Sequence, residues 1–190
     1  MRICDLIKGE IPYGSQIQIL NADGATYSFY NYLAEVYDAE KDDFVPGWGD
    51  VGEELATSTL APGTAFWFKA AGNCDATIAG QILADASKTI DINGGQFSMI
   101  ANPYPAAVNP NALTWTGLSY GDQIQVLNSD GASYSFYKYL AEAYDAEKDD
   151  FVPGWGDVGE EIVATGIIPV GQGAWIKPAN ALTLKWESPL

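Results

Sequence analysis

Histidine is absent from this chain, and basic residues are scarce. Nine lysines and arginines stand against 25 aspartates and glutamates, for a net charge of -16. Nucleic-acid binding rests on cations that neutralise phosphates, so no nucleic-acid partner is expected. Without histidine, serine and cysteine nucleophiles lose their usual base, and zinc loses its usual nitrogen ligand. A glycosidase needs only two carboxylates about 5–10 Å apart in a cleft, but nothing in the sequence defines a cleft. The chain is therefore expected not to be an enzyme. No apolar run reaches the length of about 18 residues that a membrane helix needs.

Cysteine is nearly absent too. Cys4 and Cys74 both lie in the first half, at a separation that fits no metal site. Two readings stay open: a disulfide, which suits an oxidising compartment, or two buried thiols. Their counterparts in the second half are Asn111 and approximately Leu182, so the fold does not need the pair. The opening "MRICDLIKGEIPYG" lacks the charged-then-apolar pattern of a signal peptide. That leaves a cytoplasmic chain or a trimmed piece of a secreted one.

What the chain does have is aromatic side chains and a repeat. Aromatics make up 13% of the residues, 11 of them tyrosine, which favours strands over helices. The stretch from Tyr37 to Glu54, "YDAEKDDFVPGWGDVGEE", returns unchanged as Tyr144 to Glu161. At this offset of 107, 35 of the 41 positions from Gly14 to Glu54 are identical. Further on, "PGTAFWFK" (Pro62 to Lys69) answers "PVGQGAWIK" (Pro169 to Lys177) with one added residue. The chain is read as two copies of one unit. The expected class is all-β, with two tandem β-sandwich-like domains spanning residues 1–87 and 88–190 and a boundary within 83–95.

"QIQILNADGATYSFYNYL" reads as strand, turn and strand, with Asp23-Gly24 supplying the positive φ of a tight hairpin. Asp130-Gly131 does the same in the second copy. Aromatics line both faces of the returning strand, which suits one buried face and one partly covered face. The acidic stretch that follows is expected to be an irregular loop, being rich in glycine, proline and aspartate. "TAFWFKA" and "GAWIKPA" are expected strands, with "ATIAGQI" and "LTLKW" as their hairpin partners. Asn93-Gly94 marks another hairpin, joining Thr89–Ile92 to Gln96–Ala101. The "NPYP" after it ends the strand, and "NPNAL" suits a single helical turn.

The repeat is unequal. Two full periods would need 214 residues, 24 more than the 190 present. The missing piece is the counterpart of the Asn93-Gly94 hairpin. If that hairpin belongs to each unit's sheet, the first copy is short of a strand, and its open edge recruits one from another chain. The alternatives are a truncated chain or a hairpin that serves only as a linker.

"GGQFSMIANPYPAAV", "GDQIQVLN", "YSFYKYL" and "IPVGQGAWIK" together resemble a module of secreted, multi-module bacterial proteins. Such modules have an F-x-L-I-x-N-P-Y-P opening and a P-x-G-x-G-F/A-W closing strand. They belong notably to Bacteroidetes and the Planctomycetes–Verrucomicrobia group. The resemblance covers residues 95–177; the first copy matches only from Tyr13 to Lys69 and lacks the opening motif. It implies a non-catalytic, sandwich-like unit in an extracellular or cell-surface setting, in modules mostly of unknown role.

Three kinds of site are expected. Residues 38–54 hold seven carboxylates, and the two copies together hold 14 of the chain's 25. Asp38, Glu40, Asp42, Asp43 and Asp50, with Asp145, Glu147, Asp149, Asp150 and Asp157, are calcium-ligand candidates, since calcium takes six to eight oxygens. Their spacing is not that of a helix-flanked calcium loop, and a solvated acidic loop is the other reading. Trp48 and Trp155, between glycines, fit a plug over a sheet, a sugar-stacking platform or a subunit contact. Trp67 and Trp175, in alternating strands, are expected in the core. The leading functional expectation is an extracellular structural or adhesive protein, assembling head to tail into a fibre through edge strands and acidic aromatic loops. Its partners would be copies of itself or other surface proteins. The alternative is a carbohydrate-binding protein that uses the loop tryptophans on a glycan.

Overall fold

A computed structural model of the chain describes residues 1–78, 83–162 and 168–188. The class is all-β, with short 3-10 turns at Ile3–Asp5 and Pro110–Ala112. Among the described residues no helix is long and apolar enough to cross a membrane. The chain divides into two compact units: Met1–Asn21 with Thr26–Gln81, and Ala22–Ala25 with Ile82–Leu190.

The first unit contains β1 (Ile7–Gly9), β2 (Gln16–Leu20), β3 (Tyr27–Asp38), β4 (Asp43–Gly49), β5 (Trp67–Lys69) and β6 (Ala76–Ile78). They form a four-stranded sheet, β4-β3-β2-β5, and a two-stranded sheet, β1-β6. The second unit contains β7 (Ser87–Ile92), β8 (Ser98–Ala101), β9 (Thr114–Thr116), β10 (Gln123–Leu127), β11 (Tyr134–Asp145), β12 (Asp150–Gly156), β13 (Gly173–Lys177) and β14 (Leu182–Glu187). These form a five-stranded sheet, β12-β11-β10-β13-β8, and a three-stranded sheet, β7-β14-β9.

Strand alternation sends one side chain in two toward the partner sheet. In the second unit Ile100, Ile124, Val126, Trp155, Ala174 and Ile176 from the larger sheet meet Ile92, Leu182, Leu184 and Trp186 from the smaller. That makes a sandwich-like core. In the first unit Ile17 and Trp48 pack with Ile7 and with Ile3, Leu6, Ile11 and Ala56.

The acidic stretch is not an irregular loop. It is the turn and returning arm of a long antiparallel hairpin, β3-β4, and again β11-β12. Proline and glycine are tolerated there for local reasons. Leu33 pairs with Gly47 and Val36 with Val45, so Ala34 and Glu35 bulge against Pro46 alone. The bulge interrupts the ladder where proline has no N–H to give. Gly49 has no room for a side chain: a Cβ would lie 2.7 Å from a Val36 methyl.

Three expected hairpins are also absent. Strands β7 and β8 pair with β14 and β13, not with each other. Strands β13 and β14 likewise lie in different sheets. The links are arches that cross from one sheet to the other, and the two arches nest. Gly95 donates its N–H to the Pro178 carbonyl at 2.8 Å. A Cβ on Gly94 would lie 2.4 Å from the Asn180 carbonyl carbon. A two-residue hairpin of this kind needs positive φ at both central positions. Here Gly95 takes the positive φ, 77°, and neither Asn93 nor Gly94 does. In the first unit β5 and β6 likewise pair with β2 and β1 rather than with each other. The last four residues of the expected strand "ATIAGQI", 79–82, lie outside the described residues.

Candidate functional site

Trp48 and Trp155 are each only 1% exposed, which removes them as ligand platforms or subunit contacts. The Trp48 indole N–H donates to the Ile7 carbonyl at 3.4 Å, and its ring meets Tyr32 and Phe68 at 5.3 and 6.2 Å. Trp155 meets Trp115 at 5.3 Å and Tyr139 at 5.7 Å. The flanking glycines let the backbone pack closely; they do not present the ring to solvent.

Trp67 and Trp175 go the other way. Gln18 pairs with both Phe29 and Trp67, and Gln125 with both Phe136 and Trp175. Their neighbours Ile17, Ile124 and Ile176 are fully buried. By alternation the tryptophans therefore belong to the outward row, beside the exposed Phe29 and Phe136. In "GAWIK" either aromatic or aliphatic residue could have turned inward; the register across β10 decides it.

The acidic residues do not converge. Asp38 is buried and accepts from Lys41 Nζ at 2.7 Å and from the Glu40 N–H at 3.0 Å. Asp145 repeats this with Lys148 at 2.6 Å and the Glu147 N–H at 3.0 Å. The lysine contacts hold both carboxyls below their ordinary range. Asp42 and Asp149 accept from the hydroxyls of Tyr37 and Tyr144 at 2.7 and 2.8 Å. Asp43 and Asp150 each accept from the next backbone N–H, on Phe44 and Phe151. Asp50 and Asp157 cap the following turn through the N–H groups of Gly52 and Gly159. Glu40 receives the Arg2 guanidinium at 3.3 Å, and Glu147 is exposed. Among the described residues no group of three or more carboxylates or thiols could hold a metal ion. Asp38, Asp43 and Asp50, with Asp145, Asp150 and Asp157, are each engaged by backbone N–H groups of their own turns.

Cys4 and Cys74 are free thiols, half-buried, and not the disulfide held open above. Cys4 sits in the first 3-10 turn, with its N–H on the Ala56 carbonyl at 3.0 Å, while Cys74 lies in the approach to β6. Burial and the neighbouring Asp5 push the Cys4 thiol upward, which makes it a poor nucleophile.

What distinguishes the two units is their edges. In the second unit β14 runs between β9 and β7, and β13 runs between β10 and β8. In the first unit, among the described residues, β6 has β1 on one side, β5 has β2 on one side, and each ends its sheet. The burial follows. Leu182, Leu184 and Trp186 of β14 are 0–5% exposed, whereas all three residues of β6 are exposed and Ile78 is 56% exposed. Ile176 of β13 is fully buried; Phe68, its counterpart in β5, is half-buried. The β1-β6 pair is nonetheless tight. Gly9, at φ 123°, lies so close to Asp75 that a Cβ would come within 2.2 Å of its carbonyl oxygen.

The segment that covers these edges in the second unit ends in the "NPYP" motif. Asn102 Oδ1 accepts from the Tyr104 N–H at 2.9 Å, and its Nδ2 donates to the Ala106 carbonyl at 2.6 Å. This turns Tyr104 inward, 3% exposed, with its hydroxyl on the Asp85 carbonyl at 2.9 Å. The motif is a corner clamp for the last covering strand. Residues 1–190 carry one copy of the Asn93-Gly94 segment beside two copies of the strands it pairs with in the second unit. No protein-family model, characterised protein or solved structure matches the chain.

Proposed function

We propose that this chain is a non-catalytic structural or adhesive protein of the cell surface or extracellular space, which joins other chains by strand pairing at the open edges of its first unit. One observation carries the reading: the three described residues of β6 are all exposed, while β14 is enclosed between two strands. Exposed edges of this kind are templates for another chain unless they are blocked. The resemblance to modules of secreted bacterial proteins supports the setting, and the strong negative charge keeps such a surface soluble until a partner arrives. The test is negative-stain electron microscopy and sedimentation of the purified chain, with calcium and with a chelator. Deleting Met1–Glu10, which removes β1, should abolish or shift assembly. Unaltered polymers from that deletion would end the edge reading, and loss of polymers in chelator alone would assign the acidic hairpins to calcium.

A second reading, glycan binding, draws on the outward rows in place of the buried tryptophans. Phe29 and Phe136 are 42% and 47% exposed beside Gln18 and Gln125, and aromatic faces next to amides suit sugar rings. Phe29→Ala with Phe136→Ala should abolish glycan-array signals if this face binds sugars, and leave chain assembly intact.

A further inference from the structure

We infer that the outward face of the larger sheet in the second unit binds an anionic polysaccharide, a chain of sugars carrying carboxylate or sulfate groups. The inference rests on the glycan reading above and names the class of glycan. Two adjacent cross-strand rows make the site. In one row Phe136, Gln125 and Trp175 lie side by side on β11, β10 and β13. In the next, Lys138, Gln123 and Lys177 do the same. Strand spacing sets the two lysine backbones about 10 Å apart, and the pleat sets the rows about 7 Å apart. Phe136 is 47% exposed, and Lys138 and Lys177 are exposed too. A sugar ring lying over Phe136 would place its substituents within reach of Lys138.

Charge singles these rows out. The chain carries 25 carboxylates, yet neither row holds one. Arg2, Lys41, Lys148 and Lys185 are each bound by a carboxylate. Among the described residues Lys138 and Lys177 make no ion pair. Lys177 Nζ lies 5.2 Å from the centroid of the Phe97 ring, on the same face. Aromatic rings, amides and two uncompensated cations together suit a ligand that is both sugar and anion. The ring packs on Phe136, the hydroxyls meet the amides, and the anionic groups meet the lysines.

The first unit has the same face without the second cation. Phe29, Gln18 and Trp67 form one row, and Asn31, Gln16 and Lys69 the next. There Gln18 Nε2 donates to Gln16 Oε1 at 2.5 Å, and Gln16 Nε2 to Asn31 Oδ1 at 3.1 Å, so the amides satisfy one another. Lysine has no acceptor, so Gln123 cannot donate to Lys138 as Gln16 does to Asn31. Its amide stays available for a sugar hydroxyl. Position 31 is one of the six at which the 41-residue copies differ. That single difference places the anion preference in the second unit.

The test is titration calorimetry of the full chain with polygalacturonate, dextran sulfate and unsubstituted dextran, in chelator so that calcium cannot bridge the acidic hairpins to the polymer. The expected result is binding of polygalacturonate, of dextran sulfate or of both, and none of dextran; which of the two binds assigns carboxylate or sulfate. Lys138→Asn, which installs the first unit's own residue, should weaken binding at least about 10-fold, and so should Phe136→Ala. Equal binding of dextran would overturn the anion preference and keep the glycan reading. So would binding that Phe136→Ala abolishes and Lys138→Asn leaves unchanged. Binding lost with Lys138→Asn but untouched by Phe136→Ala would mean charge attraction alone, and would overturn both. No binding of any of the three polymers would also refute both.

Discussion

Asn111 holds the backbone of Trp155 at both of its polar groups. Its Oδ1 accepts the Trp155 N–H at 2.7 Å, and its Nδ2 donates to the Trp155 carbonyl at 3.0 Å. One side chain in the second 3-10 turn thereby positions one of the two fully buried tryptophans of the second core. The first unit has Cys4 at the matching place, and there the backbone alone makes the link, to Ala56. Asn111→Ala should destabilise the second unit by about 1–2 kcal/mol, the cost of two exchanged hydrogen bonds at a partly solvated site. Urea unfolding followed by tryptophan emission measures it. An unchanged midpoint would mean that water replaces both bonds at no cost.

The two units should respond differently to the same kind of truncation. Leu184 is fully buried in β14, so Leu184→Ala should cost about 2–5 kcal/mol. Ile78 is exposed in β6, so Ile78→Ala should stay within about 0.5 kcal/mol. Equal losses at the two positions would show that the edge of the first unit is covered in solution.

Asp122 is buried and binds two backbone donors, the N–H of Ser119 at 2.9 Å and of Ala179 at 2.7 Å. Ser15 stands at the matching place in the first unit and accepts the Ala71 N–H at 3.0 Å. Asp122→Ser should therefore cost only about 1 kcal/mol, while Asp122→Leu, which orphans both donors, should cost about 2–4 kcal/mol. Thermal unfolding of the two variants side by side checks the order.

Acid should weaken the β10-β11 turn. Asp130 accepts from the Ser133 hydroxyl at 2.5 Å and from the N–H groups of Ala132 and Ser133. These donors, the hydroxyl first, lower its pKa to about 2 from the ordinary 3.8. A depressed carboxylate lends stability above its unfolded value and loses it as pH falls through the folded one. The loss should thus run from about pH 4 down to about pH 2. Asp130→Asn should flatten the fall of the urea midpoint over that window; a slope equal to the parent's would remove Asp130 from the acid response.

Much of the fold was legible because short-range rules govern it. Asp23-Gly24 and Asp130-Gly131 do make hairpin turns, with Gly24 and Gly131 at φ 65° and 68°. "NPNAL" does contain a helical turn, Pro110–Ala112, capped by Asn109. The acidic residues misled because their composition signals a loop, whereas their pairing with β3 and β11 makes strands. A proline opposite a bulge is visible only once the register is known.

Sequence by itself determined that this chain is all-β, acidic and repeated, since composition, alternation and self-similarity are properties of neighbouring residues. Tertiary structure alone decided which strands share a sheet. Asn93-Gly94 predicts a hairpin, yet the Pro178–Ala181 link packs against its backbone and opens it into an arch. It also decided which tryptophans face inward. Trp48 and Trp175 are both single tryptophans in short strands, and only the ladder to the neighbouring strand sets which side of the sheet each side chain takes. That ladder joins residues far apart in the chain, as Gln125 is from Trp175. Local sequence therefore carries little of its register, and the register decides what is core, what is surface and which edge stays open.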